Sequence, residues 1–190
     1  MLIGICGKAA SGKSTIAEAL ESRLGFAEVS LTAPMKRAAA DWFSFTDDQL
    51  YGESRNRNEP DMRWIRADGT GLTPRQFLQT LGTEVARKCH PDVWIRRALE
   101  SANFLLEERP GVVIPDVRFR NEVDAIKAAG GKVIRLTRGD GLEGEAGRHA
   151  SETEQSGIPD EVFDYVLENR FLTVGGSQAA AVEIVRGWMR

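Results

Sequence analysis

An α/β fold, a parallel sheet with helices on both faces, is predicted by three features of the chain. Short apolar segments of extended character alternate with segments of helical period. No two of the extended segments are joined by a hairpin-type turn, so consecutive strands need crossovers. The first apolar run, Leu2 to Cys6, passes through Gly7-Lys8-Ala9-Ala10-Ser11-Gly12-Lys13-Ser14 into a helical run that continues to about Leu24. That is the strand–loop–helix setting of a P-loop, G-x-x-x-x-G-K-[ST].

The spacing of that loop has a physical cause. Its glycines let the backbone curl tightly, so that successive N–H groups and the positive helix end converge on the β- and γ-phosphates of a nucleotide. Gly7, Ala10, Ser11, Gly12, Lys13, Ser14 and Thr15 are therefore candidates for binding ATP with Mg²⁺. Lys13 supplies a mobile full charge to the phosphates, and Ser14 an oxygen ligand to the metal. Behind the loop, Ile16, Ala17, Ala19, Leu20 and Leu24 recur at helical spacing, and Gly25 stops the helix. Phe26 to Leu31 reads as a second strand. Thr32, with Pro34 close behind, starts a helix that the alanine-rich run carries to Phe43.

From Thr46 to Gly71 the apolar pattern weakens, while Arg55, Arg57, Arg63 and Arg66 alternate with Glu53, Glu59, Asp61 and Asp68. Such a run is a solvated surface loop on composition alone; the functional alternative is a flap that brings arginine to an anion. Thr73-Pro74-Arg75-Gln76 combines an N-cap, a proline in the first turn and a capping-box glutamine. The helix it starts is expected to bury Phe77, Leu78, Leu81 and Val85, leaving Arg75, Gln79 and Arg87 to face elsewhere. A further helix begins near Pro91-Asp92 and runs through Trp94, Ala98, Leu99, Ala102 and Leu105.

Gly111-Val112-Val113-Ile114-Pro115-Asp116 is an apolar strand ending in a carboxylate, as in a Walker B element. In an open parallel sheet ligands bind at the C-terminal strand ends, so Asp116 is expected beside the P-loop, facing Mg²⁺. A turn or helix cap is the alternative role for such an Asp. A helix with Val123, Ile126 and Ala129 follows, ending at Gly130-Gly131, and Lys132 to Thr137 is a fourth strand. Arg138 to Gln155, bearing Arg148 and His149, has the position of a lid, with a linker as the alternative. Phe163 to Glu168 reads as a fifth strand ending at Asn169, and Ala179 to Trp188 as a closing helix.

The composition narrows the class. A chain of 190 residues, 42% apolar and 28% charged, fits one soluble domain with a real core. A net charge of −3 argues against sequence-independent binding to a nucleic acid polymer. Cys6 and Cys89 have neither metal-ligand spacing nor a disulfide framework. No apolar run approaches the ~20 residues of a membrane span, which reads as a cytoplasmic protein without a membrane partner.

Taken together, several blocks resemble the bacteriophage-type deoxynucleoside monophosphate kinases. They are the P-loop with Ser14-Thr15; Thr73-Pro74-Arg75-Gln76 with Leu78-Gln79, Leu81-Gly82-Thr83-Glu84 and Arg87; Trp94; Asp116-Val117-Arg118-Phe119 with Asn121-Glu122; Gly130-Gly131; His149 with Ser151-Glu152; and Asn169. The resemblance covers nearly the whole chain. It implies one P-loop kinase domain over residues 1–190 with strand order 2-3-1-4-5, a monophosphate-binding insertion at about 44–108 and a lid at about 138–155. It also implies phosphoryl transfer from ATP to a small-molecule deoxynucleoside monophosphate, in the host cytoplasm if the protein is phage-encoded. The oligomeric state stays open, a homodimer included. Two features depart from the pattern: Pro115 directly before Asp116, and the run Lys88 to His90.

The residue inventory suits that reaction. A phosphate monoester carries a charge of about −1.5 to −2 near neutral pH, so its oxygen attacks without a general base. What opposes transfer is the approach of two anions, and cations, metal and exclusion of water offset it. Lys13, Asp116, Arg138 and Arg148 are the candidate catalytic residues, with Ser14 and Asp116 on the metal. Lys36, Arg37, Arg75, Gln79, Arg87, Trp94 and Arg118 are candidates for the monophosphate. His90 and His149 read as surface or polar-network residues. The competing classes are a P-loop kinase for another small acceptor, with Asp116 as base toward a hydroxyl, and an ATP-hydrolysing switch or motor subunit.

Overall fold

A computed structural model describes residues 1–137, 149–169 and 172–190. Its main sheet has strands β1 (Leu2–Cys6), β2 (Ala27–Glu28), β3 (Val112–Val117), β4 (Lys132–Leu136) and β5 (Tyr165–Leu167). In chain order its α-helices are α1 (Lys13–Leu24), α2 (Ala33–Phe43), α3 (Asp47–Tyr51), α4 (Pro74–Gln79), α5 (Val93–Leu105), α6 (Arg120–Ala128), α7 (Ala150–Thr153) and α8 (Val174–Trp188). Helix α4 runs on through a π-helical stretch, Thr80–Ala86, into a last α turn, Arg87–Cys89. The chain divides into two units: residues Met1–Leu31 with Trp94–Arg190, and Thr32–Val93. Among the described residues no helix is long and apolar enough to cross a membrane.

The first unit holds the five-stranded sheet, in the order β2-β3-β1-β4-β5 with every pairing parallel. This is the order that the resemblance implies. Alternation along the strands splits the core in two, because successive side chains point to opposite faces. Leu2, Cys6, Ile114 and Val117 pack with Ile95, Ala98 and Ala102 of α5 and with Val123 and Ile126 of α6. Ile3, Ile5, Val113 and Ile134 pack with Ile16 and Leu20 of α1 and with Ala181, Val182 and Val185 of α8. With both faces covered, β1 is buried throughout and reads as a continuous apolar run. Each fully buried Ile or Leu contributes roughly 1.5–3 kcal/mol to holding these layers together.

Strand β3 is irregular where the sequence has its proline. Gly4 pairs with Ile114 but Cys6 pairs with Val117, so Pro115 and Asp116 together stand opposite Ile5. Pro115 has no N–H to give to the ladder, and a bulge is the usual way for a sheet interior to hold a proline. The bulge also re-aims Asp116.

In the second unit the run from Thr46 to Gly71 is largely exposed, as expected of a surface segment, but it holds regular structure and is not a loop. Thr46 caps α3 in a reciprocal box with Gln49. Asp61–Ile65 and Gly71–Leu72 pair as an antiparallel ribbon, so a hairpin-type connection does occur. Its arginines mostly pair with neighbours: Arg63 with Asp61 at 2.6 Å, Arg66 with Asp68 at 3.1 Å and Arg55 with Glu53 at 2.8 Å. The unit's buried apolar side chains are Met35, Ala39, Phe45 and Leu50, extended by an aromatic group of Phe43, Trp64 and Phe77. That is a small core, so polar ties carry more of its stability.

Asp61 is the clearest of these ties. Its carboxylate, 8% exposed, accepts from Arg63 Nε at 2.9 Å, Arg63 Nη2 at 2.6 Å, the Arg63 amide at 3.0 Å and Gln49 Nε2 at 3.1 Å. The Arg63 side chain, followed by Gln49, holds the carboxyl well below the usual carboxylate range. A depressed folded pKa means that this stabilisation is complete above the unfolded value of about 3.9 and fades as pH falls below it. Asp61→Asn should therefore lower stability at neutral pH by about 1–2 kcal/mol, the scale of hydrogen bonds to a charge whose partner is half solvated. The difference from the parent should shrink in acid below about pH 4, a trend that urea melts across pH would show or refute.

Candidate active site

The expected loop lies at the C-terminal end of β1. Ala10, at φ 60°, and Gly12, at φ 95°, both take left-handed backbone. For Ala10 that conformation costs on the order of 1–2 kcal/mol, a strain of the kind found at ligand-binding loops. Gly7 makes a close approach: a Cβ there would stand 2.7 Å from Ser11 Oγ and 2.9 Å from the Leu136 carbonyl oxygen. Helix α1 then starts at Lys13 with no side-chain cap and no acidic residue in its first turn. The first turn thus brings no carboxylate of its own to the positive end of the helix, as suits an anion site. Lys13 Nζ folds back over the loop and donates to the carbonyls of Gly7 and Lys8, both at 2.6 Å. Ser14 is exposed beside it. Gly7's close approach, the uncapped helix start and the adjacent ammonium fit a nucleotide triphosphate chain.

Asp116 stands at the end of β3 in the same unit, half-buried. Its Oδ2 accepts from the Ser30 hydroxyl at 2.7 Å and its Oδ1 from the Leu31 amide at 2.9 Å. The bulge thus aims the carboxylate at the segment after β2. Arg118 is half-buried just beyond; its amide, at 2.8 Å, and that of Phe119, at 3.0 Å, donate to the buried Glu122 carboxylate, which ties down the start of α6. Trp94 packs against the core below.

The remaining monophosphate candidates belong to the second unit. Lys36 Nζ lies 4.3 Å from the centroid of the Tyr51 ring, and Arg37 is exposed. Gln79 and Arg87 are half-buried on the compound helix. Arg75, expected to face away from the core, is instead only 9% exposed, with Nε on Asn58 Oδ1 at 2.5 Å and Nη2 on Ser54 Oγ at 2.9 Å. Val85, expected on the buried face, is 50% exposed. The π-helical stretch explains Val85: each i→i+5 hydrogen bond widens the turn, so a pattern counted at 3.6 residues loses phase after Gln79. Arg138 and Arg148 lie outside the described residues. Of the lid segment, His149 is half-buried and α7 with the 3₁₀ turn Glu154–Gly157 follows it.

Several residues around the loop had no assigned role in the sequence reading. Asn169, just past β5, donates through Nδ2 to the Ser11 carbonyl at 2.9 Å, and Gln178 of α8 through Nε2 to the Thr15 carbonyl at 3.3 Å. Ser30 holds Asp116. Cys6, directly before Gly7, has its thiol pushed up to about 11, chiefly by burial. The sequence marks Asn169 only as the end of an extended segment and among the motif residues, without a role; nothing local marks Ser30, whose partner is far along the chain.

A family model described as deoxynucleotide monophosphate kinase matches residues 61–171. A protein of Acanthamoeba polyphaga mimivirus, described as a putative deoxynucleotide monophosphate kinase, is 37% identical over 179 residues, covering 89% of this chain and 88% of that one. Among solved structures, a dephospho-CoA kinase from Campylobacter jejuni matches 99% of this chain and 96% of its own with a TM-score of 0.51 at 17% identity, a likeness of fold.

Proposed function

Because the chain belongs to the deoxynucleotide monophosphate kinase family, we infer that it transfers the γ-phosphoryl group of ATP to a deoxynucleoside monophosphate, yielding the diphosphate and ADP. The observation that carries the donor half is the loop at the end of β1, with Lys13 Nζ lying over its first carbonyls. An oxygen of the acceptor phosphate forms the new bond to γ-phosphorus while the bond to the β–γ bridging oxygen breaks, and ADP leaves with that electron pair. Little covalent chemistry falls to the protein, whose task is to position two anions and offset their charge.

In this reading Gly7, Ala10, Ser11, Gly12, Lys13, Ser14 and Thr15 hold the ATP phosphates. Lys13 moves from the loop carbonyls to the phosphate chain when ATP is bound. Among the described residues no group of three or more His, Cys, Asp or Glu side chains converges to hold a metal. A Mg²⁺ ion at this site would accordingly be held by Ser14, phosphate oxygens and water, with Asp116 orienting that water. Such an ion would supply positive charge to offset that of the phosphates. Lys36, Arg37, Arg75, Gln79, Arg87, Trp94 and Arg118 serve the acceptor, and Arg138 and Arg148 serve the transferring group from the lid.

Two substitutions should give opposite kinetic signatures. Arg75→Ala is expected to raise KM for the monophosphate at least about tenfold, as loss of a charge-assisted contact does, with little change for ATP. Since Arg75 also ties Ser54 and Asn58, its removal should lower the melting temperature as well. Arg148→Ala, with Arg138→Ala beside it, should instead depress kcat by tens-fold or more at saturating substrates, because its charge is felt in the transition state. Unchanged turnover in both lid variants would remove them from the catalytic set. The test of the function itself is purified protein with ATP, Mg²⁺ and each of the four deoxynucleoside monophosphates in turn. Diphosphate product supports the reading; ATP hydrolysis without a phosphorylated acceptor, or transfer only to a hydroxyl compound, overturns it.

A further inference from the structure

Converging backbone N–H groups impose a condition on the carbonyls between them, which must turn away from the anion. In this loop the Ser11 carbonyl is turned inward, and Ser11 is fully buried. A buried carbonyl needs a donor. Asn169 supplies it, through Nδ2 at 2.9 Å, from a side chain that is 1% exposed. Only the NH₂ end of an amide can donate to a carbonyl, so this contact fixes the orientation of the side chain.

Two more observations tie Asn169 to the loop rather than to packing. Among the described residues Asn169 Oδ1 and Ser11 Oγ are both buried with no hydrogen-bond partner, an arrangement that packing alone does not explain. The same Nδ2 is the atom nearest to where a Cβ on Gly12 would stand, at 3.4 Å, so the amide abuts the left-handed turn from which α1 starts. Gln178 adds a second donor from the C-terminal part of the chain, on the Thr15 carbonyl.

We propose that Asn169 is a positioning residue of the ATP site: its amide holds the Ser11 carbonyl inward and so keeps the loop's N–H groups converged on the phosphates. This rests on the reading of the loop as the ATP site. Removing the donor leaves a buried carbonyl that relieves itself by turning outward, toward the anion. Asn169→Ala should then weaken ATP binding about tenfold, with KM for ATP rising in step and KM for the monophosphate within about twofold of the parent.

Asn169→Asp supplies a readout that a purely structural role would not move. Ionised, the new carboxylate repels the Ser11 carbonyl; protonated, its O–H donates as the amide did. Burial raises its pKa, so the ratio of Asn169→Asp to parent kcat/KM for ATP should climb as the pH is lowered from about 8 to about 6. ATP binding by calorimetry, steady-state kinetics and thermal melts of the parent and both variants decide the matter. Folded Asn169→Ala with ATP affinity within about twofold of the parent overturns the proposal, as does a pH-independent ratio for Asn169→Asp. A parent protein that binds no ATP overturns the reading of the loop itself, a distinguishable failure.

Discussion

Lys13→Met is expected to remove at least 10²-fold of kcat, on the order of what one preorganised charge contributes in a water-poor site, while the protein melts near the parent temperature. The two expectations come from the same contacts. Lys13 Nζ is held by the Gly7 and Lys8 carbonyls, one contact partly buried and the other exposed, so the folded state loses little when the ammonium goes. Met keeps the length and apolar stem of the side chain and removes only the charge and its donors. In the proposed role of Lys13, the transition state would lose a full cation from beside the transferring group, which water does not replace at equal strength. A coupled ADP assay beside a thermal melt checks both halves. Near-parental turnover would strip Lys13, and with it the loop, of the role assigned here.

Gly7→Ala is expected to abolish ATP binding to a similar degree, at least about 10²-fold, by moving the loop instead of its charge. The added Cβ meets the Leu136 carbonyl oxygen at 2.9 Å, and that atom belongs to a strand of the sheet interior that cannot retreat. The loop must give way instead, and its N–H groups with it. Overpacking of this kind also costs roughly 1–3 kcal/mol of stability. Gly175→Ala is the control, since a Cβ there has nothing within 4 Å and helix α8 gains a better helix former. Calorimetric titration of ATP into both variants decides it: equal affinity in the two would mean that the close approach at Gly7 is not needed.

How far these features were legible in the sequence depended on how local their causes are. The P-loop, the capping box at Thr73 and Gln76 and the stop at Gly25 are each written within a few residues, and each stands where expected. The box at Thr46 and Gln49 is equally local, as is the turn between the ribbon strands, where Gly69 takes left-handed backbone at φ 80° and its amide donates to the Arg66 carbonyl at 3.0 Å. Both were outweighed by the density of charge around them, which read as loop; that charge does face solvent for the most part, but it is paired across short distances within regular structure. The burial of Arg75 was not legible, because its partners Ser54 and Asn58 come from a segment whose path is set by α3 and the ribbon. Nor was the target of Asp116 legible. Ser30 lies 86 residues away, and only the sheet order brings the two together.

The bulge at Pro115 has a consequence for how this chain tolerates change. A strand buried on both faces carries no polar alternation to fix its register, so a slip of two residues must be opposed by other means; one is the Phe26 ring, which a side chain in the place of Gly111 would meet. Pro115 forbids that slip, since it would move a residue without an N–H into a ladder position that needs one. The position of Asp116 along the sheet is therefore held by a covalent ring as well as by its apolar neighbours and its hydrogen bonds to Ser30 and Leu31. An apolar substitution in β3 therefore acts against more than one restraint before it can shift the site.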